Sequence, residues 1–176
     1  MNVALFYRIC PILDYTQPMS STLTHAASAS WIAVTAAHVR PDETSYIVAA
    51  LIAASILDVD HLVFMIRDRA MYRRLGYQGQ LHHARSVFHE MAGLLLAGVV
   101  SGVVFLFDRK LAQVVFVAFA VHVIQDWVLG KSHPLNPVDL TAVQLFVPTF
   151  RQKVTIDLLM LCVFGALWTL YLAGGR

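Results

Sequence analysis

The sequence predicts an all-α fold, a polytopic membrane helix bundle of four to five transmembrane helices. Three observations carry that expectation. Of 176 residues, 58% are hydrophobic and only 14% charged, against roughly half and a quarter in soluble domains. The mean hydropathy is +0.64, so the chain lacks the charge to cover a water-facing surface. Five stretches also approach the ~20 apolar residues a helix needs to cross the hydrocarbon layer. The expected partner is therefore the lipid bilayer, and a net charge of +2 is too small to make nucleic acid the main one.

In chain order, residues 1–22 read as an N-terminal surface segment, its short apolar start broken by Arg8, Pro11 and Asp14. It lacks the ordered basic start, long apolar run and small-residue site of a cleaved signal peptide. Residues 23–176 read as a single membrane-embedded helical domain, with helices at about 23–39, 45–66, 88–107, 111–129 and 154–173. The first is rich in Ala, Ser and Thr and is the weakest span. In the third, Gly93, Gly98 and Gly102 recur near the small-xxx-small spacing that lets helices approach closely in lipid. The connections at 40–44 and 108–110 are tight, while those at 67–87 and 130–153 are long. Cys10 and Cys162 lack metal-motif spacing, and both read as packing residues rather than a disulfide.

Basic residues set the expected orientation. If the helices alternate direction, one side holds Arg8, Arg67, Arg69, Arg73, Arg74, Arg85, Lys131, Arg151 and Lys153. The other holds only Arg40, Arg109, Lys110 and Arg176. Positive residues concentrate in cytoplasmic loops, which makes the first side cytoplasmic.

The polar residues fall on that same side. His25 opens the first helix, and Asp58, Asp60 and His61 lie toward the end of the second. His82 and His83 precede the third, and His89 and Glu90 sit in its first turn. His122 and Asp126 lie toward the end of the fourth, with His133 in the loop that follows. Of the eight histidines only His38 lies apart, about 20 Å along the helix from His25 at 1.5 Å per residue. His122 and Asp126, four apart, share one helix face, as do Asp58 and His61, three apart. Asp60 is turned away by about 200° in a regular helix. Continued back through Leu81, the third helix would put His82 and His89 on one face.

Ionisable groups near hydrocarbon cost roughly 2.5–3.5 kcal/mol each at a helix centre, and less toward the ends. Repulsion among Asp58, Asp60 and Asp126 adds to that cost, and a bound divalent cation would remove both penalties. Histidine nitrogen with carboxylate oxygen suits zinc, with manganese or iron as alternatives. The candidates exceed four, which points to partners holding the ligand histidines or to a second ion.

With these residues in view, the chain resembles the YdjM-like family of inner-membrane proteins, described as metal-dependent hydrolases. The matching segments are Thr24-His25, Leu57 to His61, His83 to His89, and Val121-His122 to Asp126, in the family's order from residue 24 to about 148. Leu57 replaces the family's proline, and Ala84 displaces the first histidine of the third motif to His83 or His82. Phe88 and Glu90 flank His89 where Thr and Ser are usual, and Val121 replaces a serine.

The resemblance implies a bacterial inner-membrane location and a distant likeness to zinc-dependent phospholipase C and P1 nuclease. The expected ligands are then His25, Asp58, Asp60, His61, His83, His89, His122 and Asp126, around one or two ions. Glu90 or Asp60 would be the general base and Arg85 the phosphate-binding residue. The expected function is a metal-dependent hydrolase, cleaving a phospholipid-like phosphoester at the cytoplasmic face. The alternatives are an integral membrane protein with a structural metal site and, behind it, a transporter. A carrier would place ionisable groups near the bilayer midplane, and these lie at one face.

Overall fold

Five α-helices make up the described part of the chain. They are α1 (Thr22–Ala36), α2 (Thr44–Ser55), α3 (Met91–Phe105), α4 (Arg109–Leu129) and α5 (Phe150–Ala173). The computed structural model describes residues 22–59, 87–129, 132–136, 138–139, 141, 143, 145–146 and 149–174. Short 3₁₀ turns follow α2 (Ile56–Asp58) and precede α3 (Val87–His89). Ser132 and Val143 exchange two backbone hydrogen bonds of 2.9 and 2.8 Å, and no strand forms among the described residues.

Local chemistry sets the helix ends. The α1 helix stops in a left-handed turn, with His38 at φ 50°. There the Val39 N–H donates to the Val34 carbonyl (2.9 Å) and the His38 N–H to that of Thr35 (3.1 Å), the paired bonds of a Schellman cap. The α4 helix starts where the Asp108 carboxylate accepts the Leu111 N–H at 2.9 Å, satisfying one of the free N-terminal amides. The α5 helix starts in a reciprocal capping box between Thr149 and Gln152.

The third helix is shorter than its hydropathy predicts. Glu90 takes an extended conformation (φ −119°, ψ −172°), so His89 and Glu90 precede α3 instead of occupying its first turn. The expected second helix reaches Asp58 through its 3₁₀ turn, and its continuation from residue 60 lies outside the described residues.

Helix α1 packs on α2, α4 and α5; α2 packs on α4, and α4 on α3. At the centre the packing is small-on-small, from Ala29, Ala33, Ala50, Ala53, Ala54, Val114 and Ala118. Such residues let helix backbones approach closely where hydrophobic burial no longer drives association. The glycines of α3 do not serve that purpose. Nothing lies within 4 Å of a Cβ built on Gly102, and only a Phe116 ring carbon, at 3.8 Å, lies near one on Gly98. Gly93 faces the Phe88 backbone instead.

Large apolar side chains point outward: Leu95, Val99 and Leu106 are 65%, 66% and 78% exposed. Cys162, expected to pack, is exposed on α5. Helices Arg109–Leu129 and Arg151–Ala173 are long and apolar enough to cross a membrane, and Thr44–Asp58 and Met91–Phe105 are shorter apolar helices. An outside richer in large apolar groups than the centre would be costly in water, and lipid tails match it.

Candidate metal centre

Four segments bring polar side chains to one end of this bundle. His25 comes from the first turn of α1, and Asp58 from the 3₁₀ turn closing α2. His89 comes from the turn before α3, and His122 and Asp126 from one face of α4. His25, His89 and His122 are fully buried, and Asp126 is 5% exposed.

Asp126 lies at the centre. Its Oδ1 is 3.8 Å from His25 Nδ1, and its Oδ2 is 3.9 Å from His89 Nε2 and 3.5 Å from His122 Nε2. The Asp58 Oδ1 approaches His122 Nε2 from another side at 3.7 Å. The His25 and His89 rings meet that of His122 edge-on, with centroids 4.8 and 5.9 Å away.

His122 has a fixed tautomer. Its Nδ1 lies 2.6 Å from the Ala54 carbonyl, and because a carbonyl only accepts, Nδ1 carries the proton. Nε2 is thus the ring nitrogen left to face the two carboxylates, and it would offer its lone pair to an ion held there. Direct hydrogen bonds there would be about 2.7–2.9 Å long. The observed gaps of 3.5 and 3.7 Å are longer than that. Two groups have ligand atoms within 4.8 Å of one another and could hold a metal ion, His25–His122–Asp126 and Asp58–His89–His122. They share His122. Asp126 turns one oxygen to His25 and the other to His89 and His122. The donor set is the mixed imidazole–carboxylate type suited to zinc.

Supporting contacts hold the segments in place. Gln125 Nε2 donates to Ser28 Oγ at 2.8 Å, and Ser28 Oγ donates to the Thr24 carbonyl at 2.6 Å, fixing α1 to α4 beside His25. Glu90, 1% exposed, accepts the His133 N–H at 2.8 Å and the Trp127 indole N–H at 3.2 Å. It thereby ties the loop after α4 to the start of α3, while Met91 N–H donates to the Pro134 carbonyl at 3.2 Å. A Cβ at Gly93 would clash with the Phe88 carbonyl oxygen, so only glycine lets the His89 turn fold this closely onto α3.

Of the residues expected at the site, the structure therefore gathers His25, Asp58, His89, His122 and Asp126, with Glu90 alongside. Asp60, His61, His82, His83 and Arg85 lie outside the described residues. His38 is exposed, beyond the far end of α1. Sequence reasoning did not anticipate the Ala54 carbonyl, Trp127 or the role of Gly93. Only the glycine left a signal, and its regular spacing suggested helix packing.

Among the described residues, a helical bundle with an apolar exterior and polar groups buried at one end fits a membrane protein. The YdjM inner membrane protein family matches residues 19–175. The chain belongs to that family, which places it in the inner membrane in association with the lipid bilayer. No curated protein and no solved structure matches it.

Proposed function

We propose that this protein is a membrane-bound, metal-dependent hydrolase that cleaves a phosphoester at the cytoplasmic face of the inner membrane. The observation that carries this reading is the convergence of His122 Nε2 with Asp126 and Asp58 oxygens at 3.5 and 3.7 Å. Three imidazoles and two carboxylates gathered from four segments cost burial energy that a divalent cation would offset. Zinc fits the donor set, as one or two ions, with manganese or iron as alternatives. The excess of Lys and Arg in the connections on that side supports a cytoplasmic orientation.

Bound there, a divalent ion would bring the pKa of a water toward about 7 and polarise a phosphoryl oxygen. The chain's own residues do the rest. The Ala54 carbonyl holds His122 in its ligating tautomer, and the Asp126 carboxylate joins the three histidines. Asp60 and Arg85 are proposed from the sequence as base and phosphate-binding residue. Glu90 is the other candidate base; each of its oxygens accepts one hydrogen bond and keeps a second lone pair for a proton.

The test is hydrolysis of a panel of phosphomonoesters and phosphodiesters, lipid-linked ones included, by zinc-loaded and chelator-stripped protein in lipid. Turnover that is lost on stripping and restored by metal is expected. Stoichiometric metal with no turnover of any ester would favour a second reading, a closed structural site. The full burial of His89 and His122 is what supports that alternative, since catalytic sites keep a position open.

A further inference from the structure

Beside the cluster, between the end of α2 and the facing sides of α3 and α4, lies an apolar slot of about 280 Å³. Its walls include Ile56, Leu57, Phe88, Ala97, Val100 and Phe119. Two of these adjoin candidate ligands in sequence, since Leu57 precedes Asp58 and Phe88 precedes His89. One end of the slot is therefore built by the same two turns that carry the cluster. From Gly93 to Val100 the slot follows α3 for about 10 Å, at 1.5 Å per residue, away from the cluster and toward the middle of the bundle. Its outer wall is open sideways, where Ile56, Phe88 and Val100 are 55%, 48% and 47% exposed.

We propose that this slot takes one acyl chain of a membrane phospholipid whose anionic head reaches the histidine–aspartate cluster. The proposal rests on the reading of the cluster as a phosphoester site and names its substrate class. The shape favours a chain over other occupants. A helix about 10 Å across would fill the volume within a single turn, which excludes a partner helix. The side chains of the walls are all apolar and give a soluble molecule little to orient on, and the opening lies on the apolar exterior of the bundle. A phospholipid also has the right polarity along its length, with its phosphate at the interface and its tail running toward the midplane. The slot has that same polarity, with the cluster at one end and apolar walls beyond.

The experiment reconstitutes the purified full-length protein in phosphatidylethanolamine–phosphatidylglycerol vesicles. These contain a trace of phospholipid with a photoreactive diazirine in its acyl chain, and the labelled peptides are mapped after irradiation. The proposal expects label at Ile56, Phe88 and Val100 to exceed that at Leu158 and Leu170 on the outer face of α5 several-fold. Ala97→Phe and, separately, Val100→Trp should fill the slot and remove this excess while the α5 label stays unchanged. Even labelling of α3 and α5, or an excess that survives both substitutions, would overturn it. Metal content measured on the same samples keeps the two readings apart. Slot labelling of metal-free protein would support the slot and contradict the metal centre, whereas even labelling of metal-loaded protein would contradict the slot alone.

Discussion

His122 is held at Nδ1 by the Ala54 carbonyl at 2.6 Å, which commits its other nitrogen to face the carboxylates. Backbone carbonyls commonly orient ligand histidines in this way, and losing such support typically costs 10–100-fold in metal affinity. Gly93 gives His89 a comparable support through the main chain. In Gly93→Ala the new Cβ would collide with the Phe88 carbonyl oxygen and carbon. Since both are backbone atoms, the His89 turn must move. We expect metal affinity to fall by about 10–100-fold, with helix content retained, as read by competitive metal titration and circular dichroism. Unchanged affinity would show that His89 does not depend on this close approach. The pairing of His122 with Asp126 was legible from their spacing of four on one helix. The need for Gly93 was not, because it depends on where a turn outside the helix folds back.

At the scale of the element, the helix ends explain where hydropathy misjudged the boundaries. A window of apolar residues passes through Phe88 without registering that Glu90 accepts two hydrogen bonds from the α4 side. Those long-range contacts fix Glu90 extended and shorten α3. The starts of α4 and α5 fall earlier than hydropathy suggests, at polar caps on Asp108 and Thr149. The α1 cap makes a stability prediction. His38 occupies the left-handed region at φ 50°, which costs a residue bearing a Cβ roughly 1–2 kcal/mol. His38→Gly should therefore raise stability by up to about 1 kcal/mol, seen as a higher melting temperature in detergent. A lower melting temperature would mean that the imidazole makes a stronger contribution of its own.

At the scale of the whole molecule, the charged groups among the described residues lie toward the two ends of an apolar bundle. At the end opposite the cluster, Lys110 Nζ lies 2.9 Å from Glu43 Oε2, and Tyr46 OH donates to Asp108 Oδ2 at 2.9 Å. The Arg40 backbone N–H and the Lys110 ammonium hold the Glu43 carboxyl below its ordinary value of 4.5. The Leu111 N–H and the Tyr46 hydroxyl lower Asp108 from 3.8. Folded values below unfolded ones mean that this stabilisation is complete above the ordinary values and is lost as pH falls through the lowered ones. Acid unfolding monitored with Glu43→Gln/Asp108→Asn should show less stability lost below pH ~4 than in the parent protein. Equal losses would remove these two carboxylates from the account.

The cluster end carries the central claim, that buried histidines and aspartates from four segments form a metal centre. Elemental analysis of detergent-purified protein tests it most directly, with His122→Ala/Asp126→Ala in parallel. The account predicts one or two equivalents of zinc, manganese or iron per chain, lost in the variant. Protein that stays metal-free after reconstitution with each ion would contradict it.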